Sequence, residues 1–384
     1  MQRDDAGSLG NMSPAPLSGA GMTPLSGAGI TPANNAGVVQ LGIENPAPLT
    51  YNQFKEPGKS RIPLPVVAGI CFSVTAFLFV VVQILGSFGI LPKGFFTNMP
   101  LQLLIVQIGF ILVPTLLILV VTKQNMKDVL RLNRPKVGEV LISAAIPVII
   151  FPAMLGLAFI AVLFVGLIFG STDLSGFEPL MSTNLWLVIL CAALLPGVCE
   201  EVLFRGVVLK GLQKNGAVFG IIISSVLFGL FHMDPQRFIA QAVLGAVAAI
   251  VVYRTNSIFC GMAVHFTNNA LAFTVSGLLG SSGGEGQAQS QDIMSLLREQ
   301  AEIAQIDFGF LCVAMIVLMM IMTIVFLALS VPLFVVLFKI TKVKVRQFTD
   351  ETFPVKPAHY LAMTPGLLII IGFYCLVAAF LAGG

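Results

Sequence analysis

Residues Leu185–Lys210 read LWLVILCAALLPGVCEEVLFRGVVLK. About 20 apolar residues suffice to cross the roughly 30 Å hydrocarbon core of a bilayer. In lipid a backbone must satisfy its own polar groups, so a run of this length is a helix. Three ionisable side chains, Glu200, Glu201 and Arg205, interrupt its interior. Each is costly there unless it faces a partner or a wet cavity. The stretch therefore predicts a membrane helix and a polar centre at once.

The rest of the 384-residue chain agrees with that solvent. Hydrophobic residues make up 57% and charged ones 10%, against about 25% charged in soluble domains. So little charge cannot cover a water-soluble globule, which excludes a soluble enzyme and a nucleic-acid partner. The six cysteines all lie in apolar surroundings without CxxC spacing, and they read as small buried hydrophobes. Residues 1–60 differ. They are rich in Gly, Ala, Ser and Pro and contain the repeat PLSGAGMT, PLSGAGIT from Pro16 to Thr31. Such a segment buries too little apolar surface to offset its ordering entropy, so it reads as a disordered cytoplasmic tail. Residues 61–384 read as one membrane-embedded helical domain.

Apolar runs at about 63–91, 100–122, 140–169, 184–213, 217–232, 236–253, 256–278, 306–338 and 362–381 give nine candidate helices. The fold class is all-α, a polytopic membrane protein. The fifth and sixth runs are short and suit a hairpin that stops inside the bilayer. The segment at about 279–305 reads as a polar loop. With the N-terminus cytoplasmic, seventeen of the 21 Lys and Arg residues fall in inside segments. Only Lys93, Arg237 and Arg298 fall outside, and Arg205 is intramembrane. The positive-inside rule favours that arrangement in the cell membrane.

Polar chemistry within the apolar runs is confined to one window. Glu200, Glu201, Arg205, His232 and His265 all lie between residues 200 and 265. Glu201 and Arg205 are four apart and share a helix face, whereas Glu200 is turned about 100° away. Glu200 lies about 15 Å from the basic end of its helix, and His265 about 16 Å from the same side. His232 falls deeper unless the fifth helix starts near Phe219 or tilts. Asn269 follows His265 by one turn and shares its face. A carboxylate, two imidazoles and an amide are thereby predicted to converge near mid-membrane.

Amide hydrolysis needs such a set: a general base for water, a group serving the leaving amine, and donors for the oxyanion. Glutamate with two histidines is also a donor set that zinc accepts, although no compact HExxH is present. A proton-coupled transporter would use the same groups as a relay, but no second copy of the pattern supplies repeated halves. A non-catalytic membrane scaffold is the third reading.

Glu200-Glu201-Val-Leu-Phe-Arg205 has the form EExxxR. Phe228-Gly-Leu-Phe-His232 has the form FxxxH, and His265-Phe-Thr-Asn-Asn269 the form HxxxN. These three motifs, in this order on successive apolar helices, resemble the CPBP family of CAAX prenyl endopeptidases and bacteriocin-processing or self-immunity enzymes. The resemblance covers about 184–278, the expected catalytic core. It implies an intramembrane protease acting on a peptide or protein, prenylated or not, in a lipid bilayer. It assigns Glu200 and His232 to water activation, His265 and Asn269 to the oxyanion, and Glu201 and Arg205 to a supporting pair; Phe228 reads as packing that wedges His232. The family is often labelled a metalloprotease. That would place a divalent metal such as zinc on Glu200, His232 and His265, and a metal-free glutamate mechanism fits the same residues.

Overall fold

A computed structural model describes residues 62–90, 98–170, 184–282, 292–341 and 356–383. The segment 1–60, including the repeat, lies outside the described residues. Those described form helices and no strand. The apolar helices are α1 (Leu64–Ser87), α2 (Met99–Val121), α3 (Val137–Phe169), α4 (Trp186–Asn215), α5 (Ala217–Phe231), α6 (Phe238–Thr255) and α7 (Ile258–Ser282). After an interposed helix α8 (Ile293–Ala304) come α9 (Phe308–Ile340) and α10 (Thr364–Gly383), the last continuing a 3₁₀ stretch, Pro357–Met363.

Among the described residues eight helices are long and apolar enough to cross a membrane. With the shorter α5 they account for the nine apolar runs. At 1.5 Å per residue the 15 residues of α5 rise about 22 Å, less than the hydrocarbon thickness. The 18 residues of α6 rise about 27 Å and make it the shortest of the eight candidate spans, so the sixth helix is short as well. Large apolar side chains remain exposed along α9, among them Phe310, Val313, Leu318, Ile321 and Ile324. Water would not tolerate so continuous a stripe; lipid does. The chain is an integral, multi-pass membrane protein.

The helix starts follow local chemistry. Asn98 caps α2, its side chain accepting from the Leu101 amide at 3.1 Å. Asp307 caps α9 by accepting from the Phe310 amide at 2.8 Å. The segment expected to be a loop at 279–305 contains α8 instead, capped by Asp292 at the Ser295 amide. Met294 and Ala301 are buried, whereas Arg298, Glu299 and Glu302 lie along the same helix. Sequence reading missed it because its apolar residues recur at helical spacing within a polar composition, so a search for apolar runs passes over it.

Among the described residues, one face gathers most of the basic side chains. Gln124 Nε2, just past the end of α2, donates to the Ile62 carbonyl at the start of α1 (3.0 Å). Lys210 of α4 pairs with Asp128 at 2.9 Å, and Arg131 donates to Gln213 at the end of α4. Asn133 Nδ2 donates to the Asn256 carbonyl between α6 and α7 (2.8 Å), and Ser257 Oγ returns a bond to the Asn133 carbonyl (2.7 Å). Arg254 at the end of α6 donates to the Phe338 and Thr341 carbonyls that finish α9. Helix ends alternate across the bundle, and the segment Lys123–Lys136 clamps those carrying the polar centre. Burial pushes the Arg131 guanidinium down to about 10, which still leaves it charged at neutral pH.

Glycine sets the closest approach in the α5–α6 hairpin. A Cβ on Gly229 would sit 2.7 Å from the Phe238 carbonyl oxygen, and one on Gly245 would sit 3.1 Å from the Ser225 Cα. Between the two helices Met233 adopts φ 52°, a left-handed residue that ends α5 and turns the chain toward Asp234-Pro235.

Candidate active site

Glu200 and Glu201 occupy one turn of α4 and are 6% and 0% exposed. Their neighbours divide them. Glu201 Oε1 lies 2.9 Å from Arg205 and 3.0 Å from His265 Nδ1. Arg205 is buried too. Its guanidinium stacks over the Phe228 ring at 4.2 Å and donates to the Gly245 carbonyl at 3.3 Å. A buried charge needs this density of partners. The expected (i, i+4) pair is therefore present, and it is wired to α5, α6 and α7.

Glu200 points the other way. Its Oε1 accepts a hydrogen bond from Gln107 Nε2 of α2 at 2.8 Å. Its Oε2 is buried without a hydrogen-bond partner and stands 3.9 Å from His232 Nε2 and 3.9 Å from His265 Nε2. The structure thus brings two of the sequence-derived residues, His232 and His265, to one carboxylate oxygen of a third, Glu200.

His232 ends α5, which begins at Ala217 and not near Phe219. Depth is recovered by the side chain. Its Nδ1 bonds the Phe228 carbonyl one turn back, at 2.9 Å, folding the imidazole toward the start of its own helix. A carbonyl only accepts, so Nδ1 carries the proton and Nε2 of the neutral ring presents a lone pair to Glu200. Phe228 holds both rings. Its centroid is 4.8 Å from that of His232 and 5.5 Å from that of His265, each edge to face. Phe204 and Phe231 continue this aromatic cluster beneath it.

Asn269 lies half-buried on α7, and its Nδ2 donates to the Ala192 carbonyl of α4 at 3.4 Å. The structure gives it no bond to Glu200 or to either histidine. Asn268, next to it, is buried, and its Nδ2 donates to Asn269 Oδ1 at 3.3 Å. The adjacent amide therefore fixes which way Asn269 presents its own. Gln107 was also missed. Its only signal is a neutral amide in an otherwise apolar run, too weak to rank beside a charge.

Three π-helical stretches surround this centre. Ile105–Leu112 carries Gln107, Ile189–Leu194 supplies the Ala192 carbonyl, and Val202–Val208 carries Arg205. A wider turn displaces the ordinary i→i+4 bonding, and such stretches recur at functional sites.

The zinc alternative finds no support in this arrangement. Among the described residues no three His, Cys, Asp or Glu side chains are disposed to hold a metal ion together. One oxygen of Glu200 is already engaged by Gln107, and Glu201 by Arg205 and His265. No step below is routed through a metal.

Gly261 lets α7 approach this network. A Cβ there would meet Glu201 Oε2 and Val252 Cγ2, each at 2.5 Å. Gly261→Ala is expected to displace Glu201 and lower the thermal midpoint of the detergent-solubilised protein by several degrees, with lower activity. An unchanged midpoint would show that the helices part without cost.

Fold and site together define a polytopic membrane protein with a buried carboxylate–imidazole centre. Residues 182–271 match the family described as type II CAAX prenyl endopeptidase Rce1-like, in line with the three motifs. Over 84 residues the chain is 29% identical to the protein named "Putative membrane peptidase YdiL" of Bacillus subtilis (strain 168). That similarity covers 22% of this chain and 34% of the relative, so the chain spans about a third of the length of the curated relative it matches. No solved structure matches.

Proposed function

We propose that this protein is an intramembrane endopeptidase that hydrolyses a peptide bond with water activated by Glu200. One observation carries the reading: the unpartnered, buried Glu200 Oε2 stands 3.9 Å from two imidazole nitrogens. Direct hydrogen bonds are excluded at that separation, but a water touching both groups fits it.

In this mechanism the water donates one hydrogen to Glu200 Oε2 and one to the His232 Nε2 lone pair. Its oxygen attacks the scissile carbonyl as Glu200 takes a proton, and the carbonyl electrons become an oxyanion. His265 Nδ1 donates to Glu201, so the ring carries hydrogen on Nε2 only as an imidazolium. Glu201 balances that charge, and the Nε2–H of His265 serves the oxyanion together with the Asn269 amide. Collapse expels the amine, which takes the proton that Glu200 received. The substrate is a membrane-associated peptide, of CAAX type or another processed peptide, and the catalytic core is residues 184–278.

The test is hydrolysis of internally quenched peptides, farnesylated and unmodified, by protein in liposomes. Wild-type protein is expected to cut at least one, and His232→Ala to slow that reaction about 100-fold or more. Folded wild-type protein that cuts none of them would count against the reading. The clustering of basic residues on one face supports a cytoplasmic N-terminus in the cell membrane. A cysteine at Lys127 is then expected to react with an impermeant maleimide only after the membrane is opened. Labelling of intact cells would reverse the orientation.

A further inference from the structure

One polar side chain reaches the centre from outside the matched segment. Gln107 of α2 is 93 residues before Glu200 and 5% exposed, yet its Nε2 lies 2.8 Å from Glu200 Oε1. A carboxylate only accepts, which fixes the amide with its NH₂ toward Glu200 and its own oxygen turned away, buried and unpaired. A buried amide in a lipid-spanning helix costs free energy that an apolar side chain would not. Packing of α2 against α4 does not ask for it.

The bond makes the two oxygens of Glu200 inequivalent. Oε1 is tied to α2, and Oε2 alone faces His232 and His265. Rotation about the terminal carboxylate torsion is broad and weakly restrained by itself. A single donor on one oxygen stops it and sets the other toward both imidazoles. The π-helical stretch Ile105–Leu112 contains Gln107 and so belongs to the same device.

We infer that Gln107 is a positioning residue that locks the Glu200 carboxylate with Oε2 toward the histidines. The inference rests on the reading of Glu200 as the base. It completes that base with a helix outside the three motifs.

Infrared difference spectra of the purified full-length protein in detergent provide the first test, and they need no substrate. Subtracting Glu200→Gln from wild type isolates the Glu200 carboxylate bands. With Gln107→Leu or Gln107→Met those bands are expected to shift and broaden, and unmoved bands overturn the inference. Both replacements are apolar and favour insertion, and Met keeps the length of Gln. Failure of both variants to fold would make Gln107 a structural residue and also overturn it.

The second test uses whichever quenched peptide the wild type cuts. Gln107→Leu should lower kcat about 10-fold or more with KM within about two-fold, the pattern for an interaction used in the transition state. In the Glu200→Gln background the same change should cost nothing further. An unchanged kcat, or a KM effect alone, overturns the inference. Full hydrolysis by Glu200→Gln would instead overturn the base reading while leaving the spectral shift in place, so the two failures are distinguishable.

Discussion

Glu200→Gln is expected to slow peptide hydrolysis about 10²–10⁴-fold while the protein still inserts and folds. The substitution keeps the shape of the side chain and removes only its capacity to take a proton. It also keeps a carbonyl oxygen, so Gln107 Nε2 can still donate at 2.8 Å and the contact between α2 and α4 survives. What disappears is the acceptor that stands 3.9 Å from each imidazole. Peptide hydrolysis in liposomes and thermal unfolding in detergent together give the result. Activity within a few-fold of wild type would remove Glu200 from the role of base.

Arg205→Ala should act on the fold itself. The guanidinium is 1% exposed, pairs with Glu201 at 2.9 Å, stacks on Phe228 at 4.2 Å and bonds the Gly245 carbonyl. Removing it leaves Glu201 in a dry interior with His265 beside it but without its guanidinium partner. Breaking a buried pair in this way costs about 3–5 kcal/mol. The effect should spread, because Phe228 orients both imidazoles and Gly245 lies at a close approach of α5 and α6. The detergent-solubilised variant is expected to unfold at markedly lower temperature and to be inactive. A stable, active Arg205→Ala protein would show that Glu201 is neutral or otherwise satisfied.

Much of this molecule was legible in the chain because lipid imposes simple rules. Apolar length located all nine apolar helices to within a few residues, and charge found the centre, since an ionisable group in lipid is conspicuous. The (i, i+4) spacing of Glu201 and Arg205 gave their pairing. What escaped was whatever those rules do not register. Helix α8 is amphipathic within a polar stretch, so a filter for apolar runs ignores it. Gln107 and Asn268 are uncharged, and their contacts are tertiary facts. The level of His232 could not be obtained from residue counts, because its ring folds back onto the Phe228 carbonyl. Nor does sequence indicate that Asn269 leans on Ala192 rather than on the carboxylate.

The three π-helical stretches make the centre sensitive to a quantity that hydropathy ignores, the number of residues in a span. Each widened turn holds more residues than a regular one, and removing a single residue allows the helix to close into ordinary α geometry. Because the wide turn had absorbed that residue, the segments on either side keep nearly the same phase, and the span remains as apolar as before. What changes is local: the groups inside the widened turn lose its displaced backbone bonding and are re-aimed. In Ile105–Leu112 the re-aimed group is Gln107, and in Val202–Val208 it is Arg205. Substitutions on the lipid-facing sides of these helices are therefore cheap and one-residue deletions are not, so length within these stretches is held more tightly than the identity of most residues in them.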